Sequence, residues 1–138
     1  NQILVEDKLM TIQDLRSEAV AFLDNWGGLL EEACDYCQVS RERSSSDNPD
    51  KAIISLKNER ETSYAAYISV QNELVAAYNV LRNRRALELG PSRGFRDMDF
   101  TQMQRNYKDA RFVGNKDKLK ALIDQIKLEF PQKLSEVQ

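Results

Sequence analysis

The sequence predicts an all-α fold: an antiparallel up-down four-helix bundle with two long and two shorter helices. Three observations carry this. Apolar residues recur at spacings of three and four over long stretches, the repeat of a helix face. Gly and Pro are scarce, five and three in 138 residues, too few for the many turns of a β-sandwich or barrel. The segments that break the periodicity are short, which joins neighbouring helices antiparallel. The alternative is three long helices, the third broken near Gly114.

The first helix is expected from about residue 3 to residue 42. Ile12, Leu15, Ala19, Phe22, Trp26, Leu29, Ala33 and Tyr36 alternate spacings of three and four. Leu9, Leu23, Leu30 and Cys37 widen that stripe on one flank, as on a bundle helix. Gly27 and Gly28 interrupt it without ending it. The second helix is expected over about 49–88, with Asn48 as N-cap and Pro49 in the first turn. Its main stripe is Ile53, Leu56, Tyr64, Tyr67, Leu74, Tyr78 and Leu81. Ile54, Ala65, Ile68 and Val75 form a second stripe, so at least two neighbours should pack against this helix. Arg60 interrupts the main stripe and should snorkel.

Gly90, Pro91 and Gly94 mark a loop. A third helix should start near Asp97 or Asp99, since Asp99 with Gln102 has the form of a capping box. Phe100, Met103, Tyr107 and Ala110 form its face, and Gly114 suits the position just past its end. The fourth helix should start near Asn115, with Leu119, Ile123, Ile126, Phe130, Leu134 and Val137 inward. Pro131 should kink it or end it early. In this bundle both termini and the 89–96 loop lie at one end. Residues 1–138 read as a single helical-bundle domain, a fragment of a longer chain.

Composition narrows the function. The formal net charge is −2, which gives no pull toward nucleic acid. No apolar run approaches the roughly 20 residues of a membrane span. The chain has no histidine, which removes Ser-His-Asp and Cys-His catalysis, imidazole metal ligands and the Glu-x-x-His of di-iron bundles. No glycine-rich phosphate loop is present. No catalytic residue, metal site or cofactor is nominated.

Three groups of residues remain. Cys34 and Cys37 form a C-x-x-C near the expected C-terminal end of a helix, where the dipole disfavours a thiolate. The expectation is a half-buried Cys37 and an incidental Cys34, or else a zinc ion or disulfide shared between two chains. Unpaired thiols suit a reducing, cytoplasmic compartment. Arg82, Arg84, Arg85, Arg93 and Arg96 lie close together with Glu88 the only acid among them. Arginine makes planar bidentate contacts with carboxylate and phosphate. They form a candidate site for an acidic or phosphorylated partner, or else pair with a helix dipole and with Asp97, Asp99, Glu6 and Asp7. Tyr64, Tyr67 and Tyr78 form a candidate partner or dimer face, or else belong to the core.

The function expected is a non-catalytic protein–protein interaction module of scaffold, adaptor or effector type. It would bind other proteins, or a second copy, through lateral helix faces and the arginine-rich end. Two alternatives are the sensory ligand-binding bundle of a membrane receptor and a bundle targeted to anionic membranes.

Overall fold

A computed structural model describes residues 2–5, 8–24, 36–37, 53–57 and 63–137. In chain order these form β1 (Gln2–Val5), β2 (Lys8–Thr11), α1 (Ile12–Leu23), β3 (Ile54–Lys57), α2 (Tyr64–Leu89), α3 (Phe100–Lys108), α4 (Lys116–Glu129) and β4 (Leu134–Val137). A 3-10 turn, Gly90–Arg93, follows α2. The chain is mostly helical, as expected. Two small sheets were not expected: β1 pairs antiparallel with β2, and β3 pairs parallel with β4.

The sheets correct both long helices. Residues 2–5 and 8–11 form paired antiparallel strands rather than helix, with Val5 opposite Lys8 and Gln2 opposite Thr11. The β-branched Ile3 and Val5 favour strand. The helix begins at Ile12, where the regular stripe begins. It ends at Leu23, and the Asp24 N–H donates to Val20 O at 2.8 Å as its last bond. Tyr36 and Cys37 are not helical. The features placed on Trp26, Gly27, Gly28, Cys34, Asn48, Pro49 and Arg60 lie outside the described residues.

Residues 54–57 form β3 rather than helix. Ile54 and Leu56 are half-buried while Ser55 and Lys57 are exposed, a period of two that the helical stripe through Ile53 and Leu56 does not use. The second helix therefore starts at Tyr64, capped by the Ser63 hydroxyl, which accepts from Ala66 N at 3.1 Å. At 26 residues α2 is about 39 Å long, well short of a rod of two 40-residue helices.

The shorter helices follow the sequence more closely. The Asp99 carboxylate caps α3, accepting from Gln102 N at 2.8 Å. The Asn115 side chain caps α4, accepting from Lys118 N at 3.1 Å. Pro131 ends the fourth helix early: α4 stops at Glu129, with Phe130 as its C-cap. Leu134 and Val137 then belong to β4. Gly114 does not terminate the third helix, because Asp109 already does.

Helix α2 is the axis of the fold. It packs against α1, α3 and α4, which meets the expectation of more than one neighbour. Just before and at its midpoint, Leu74 and Ala77 join Leu15 and Ala19 of α1 under half-buried Val5, Met10, Ile54, Leu56 and Leu134. In its middle, Tyr78 and Leu81 close on Leu23 and Phe130. Near its end, Ala86 joins Phe95, Phe100, Met103, Leu119, Leu122, Ile123 and Ile126. Val5 and Leu134 thus pack against the middle of α2, whereas the loop after Leu89 follows its C-terminal end. The expected placement of that loop beside the chain ends does not describe these two residues.

Tyr78 shows how tight the middle layer is. Its side chain is wholly buried, and its hydroxyl accepts from Lys133 N at 3.3 Å. Burial raises its pKa above the ordinary 10.0, against the lowering effects of the Lys133 N–H and Arg82. A raised pKa favours the neutral form in the folded state, so this contribution is complete below pH 10 and falls as pH rises above it. Urea titrations from pH 8 to pH 11 are expected to show stability falling at the alkaline end. In Tyr78→Phe that slope should be shallower; an unchanged slope would exclude Tyr78 as its source.

Candidate anion-binding cleft

The five arginines do not form one site. Arg82, Arg84 and Arg85 turn inward from α2. Arg84 makes two hydrogen bonds to the Asp24 carboxylate, both 2.7 Å, and Asp24 is only 3% exposed. The same guanidinium donates to Tyr36 O at 3.3 Å. One side chain of α2 therefore holds the residue that ends α1 and the residue that precedes Cys37. Glu88 Oε1 lies 3.6 Å from Arg84 Nε, too long for a hydrogen bond, so among the described residues that buried N–H has no hydrogen-bond acceptor. The bond to Asp24 raises the Arg84 pKa, against burial.

Arg85 and Arg82 hold the end of α4. Arg85 Nε donates to Glu129 Oε1 at 2.5 Å. Its guanidinium sits 4.7 Å from the Tyr36 ring centroid. Burial lowers its pKa, but the Glu129 bond and charge outweigh burial and the net shift is upward. Arg82 Nε donates to Phe130 O at 3.0 Å, and its guanidinium lies 5.5 Å from the Phe100 ring centroid. Burial lowers the Arg82 pKa. The Tyr36 hydroxyl donates to Glu129 O at 2.7 Å, and its ring meets Phe130 edge-on at 5.2 Å. Arg82 and the Tyr36 hydroxyl thus satisfy carbonyls at the negative end of the α4 dipole, while Arg85 holds the Glu129 carboxylate there. The arginines do pair with a helix dipole, but with that of α4; their carboxylates are Asp24, Glu129 and Glu88, not Asp97 or Asp99. Glu6 and Asp7 lie outside the described residues.

Arg93 and Arg96 point the other way. The loop that carries them is closed by Phe95 N donating to Gly90 O at 2.8 Å. Only glycine fits at 90, since a Cβ there would overlap the Phe95 carbonyl oxygen. Gly94 takes a φ of +89°, open to glycine at little cost. The closure pins Phe95 in the core at 6% exposure and leaves the arginines on either side exposed. Opposite them, the loop between α3 and α4 brings Phe112 over Gly114, where a Cβ would stand 2.6 Å from the ring.

The two loops enclose an open cleft of about 370 Å³ lined by Arg93, Gly94, Phe95, Arg96, Met98, Phe112, Val113, Gly114, Asn115 and Lys118. Its charged lining is three cations and no acid. Among the described residues none of the three forms an ion pair; Arg93 donates to the neutral Gln125 at 3.1 Å. Lys118 was not nominated from the sequence. Its only signal was its place in the first turn of α4, which gains meaning once that turn is set against the 90–96 loop.

The tyrosines separate as well. Tyr64 is 78% exposed, Tyr78 is core, and Tyr67 is half-buried with its hydroxyl accepting from Gln71 at 3.0 Å. Tyr78 therefore cannot belong to a partner face. Cys37 is disulfide-bonded and 4% exposed, which corrects its reading as a thiol and removes the ground for a reducing compartment. Among the described residues, no three Cys, Asp, Glu or His side chains gather as a metal site, and no helix is long and apolar enough to cross a membrane.

Comparison with protein-family models, curated proteins and solved structures found no match. The fold and the cleft define a mostly helical chain with a cationic, partly apolar cleft and part-buried ion pairs at Arg84–Asp24 and Arg85–Glu129.

Proposed function

We propose that this chain is a non-catalytic protein-interaction module that holds an anionic partner at the cleft between the 90–96 loop and α4. The observation that supports this is the lining: Arg93, Arg96 and Lys118 around an apolar floor, with no carboxylate among them. Cations that form no ion pair among the described residues around a concave surface draw an anionic group by raising its local concentration and fixing its orientation. Arg82 and Arg85, already engaged, support the site only by fixing the end of α4 against α2.

Fluorescence anisotropy with labelled polyglutamate at low salt tests the reading. The charge reversal Arg93→Glu, Arg96→Glu and Lys118→Glu is expected to weaken binding by about tenfold or more, since rim charges govern such association. Circular dichroism should show an unchanged fold, because all three side chains are exposed. Equal binding by the wild type and the triple variant would overturn the proposal.

A second reading, contact with an anionic membrane surface, is favoured by one observation. Val113 is 95% exposed beside the cleft, and the Arg111 side chain is 92% exposed nearby.

A further inference from the structure

We infer that the occupant of the cleft is an acidic peptide segment with a central apolar side chain, an inference that rests on the cleft taking an anion at all. Exposed charges alone give little selectivity, because they are screened over about 8 Å at physiological salt and exposed ion pairs contribute little. Selectivity needs a contact from which water is excluded, and this cleft offers one. Phe95, Met98 and Phe112 form its floor, while Arg93, Arg96 and Lys118 stand around them. An anion without an apolar group would leave that floor wet. An apolar ligand without charge would leave the cations unmatched.

Size and shape narrow the choice further. A volume of about 370 Å³ lies at the low end of the range for ligand sites, roughly 300–1,000 Å³. It suits one or two side chains rather than the face of a helix. Its mouth is open along the loops, so a chain can run across it with acidic residues on either side of the anchor. The apolar groups argue against a lipid bilayer as the occupant. Phe95 is buried, and Met98 and Phe112 are half-buried in the core of α3 and α4. A bilayer needs apolar groups that protrude, and Val113 alone does so at this cleft.

Anisotropy titrations with three labelled hexapeptides test this. The first has four glutamates around a central Leu-Phe pair, the second has Ser-Ser at the centre, and the third has lysines around Leu-Phe. The first should bind, and the Arg93→Glu, Arg96→Glu, Lys118→Glu variant should lose that binding. The second should bind about tenfold more weakly, and the third should not bind. Phe112→Ser should weaken the first peptide while leaving the second unchanged. Equal binding of the first two peptides would overturn the apolar anchor while leaving the anion site standing. If neither peptide nor polyglutamate binds, the anion site itself fails. Binding to phosphatidylserine-rich vesicles with no peptide binding would transfer the site to membranes and overturn the inference.

Discussion

Replacing Arg84 with methionine is expected to destabilise the fold by about 3–5 kcal/mol, the usual consequence of removing one partner from a buried ion pair. Asp24 is 3% exposed and takes both hydrogen bonds from the Arg84 fork. Without the guanidinium the buried Asp24 side chain loses both of these hydrogen bonds where little water can replace them. The Tyr36 carbonyl loses its donor as well. Equilibrium urea unfolding measures the loss. Adding Asp24→Leu to Arg84→Met should recover part of it, because the buried carboxylate that Arg84 held is then replaced by an apolar side chain. A loss below about 1 kcal/mol would place this pair with ordinary surface ion pairs.

Phe130→Ala is expected to cost about 3–5 kcal/mol, the range for a large aromatic removed from a core. Phe130 has no exposed surface and closes the middle layer with Leu23, Tyr78 and Leu81. It also offers its ring to the edge of Tyr36. Three elements meet on this side chain: α1 through Leu23, α2 through Tyr78 and Leu81, and the end of α4. No single neighbour can move to fill the space, so a cavity remains and its cost adds to the lost transfer energy. Phe130→Leu, which keeps most of the volume, should cost much less. Thermal and urea unfolding of both variants check this; equal losses would mean that the ring's shape, rather than its volume, sets the cost.

Helix caps and helix faces close in sequence were legible. Asp99 with Gln102, Asn115 before α4 and Pro131 after it act within a turn of chain, so their residues suffice to place them. The inward row Leu119, Ile123, Ile126 and Phe130 followed from its period alone. The β1–β2 pair and β3 were not legible for a related reason. Short apolar runs such as those at 3–10 and 53–56 fit a helical stripe about as well as a strand, and only a pairing partner decides between them. For β3 that partner is β4, about eighty positions away, a distance no local pattern spans.

The arginines show the same division from the side of function. Their sequence shows five like charges in a short run, which names a chemistry but not a direction. Two of the three that turn inward meet carboxylates more than forty positions distant, Arg84 at Asp24 and Arg85 at Glu129. Arg93 and Arg96 were left outward by the closed 90–95 turn and met Lys118 from another element.

By itself the sequence determined the helical class, the cap at Asp99, the helix start near Asn115, a break at Pro131 and the absence of histidine chemistry. Each follows from composition or from contacts within a few residues. Only the tertiary structure decided that 2–5, 8–11 and 54–57 are strands, that Tyr78 is core, that Cys37 is oxidised and that three arginines are internal. Those outcomes depend on partners brought together by burial of a shared apolar surface, which is a property of the assembled chain and not of any window of it.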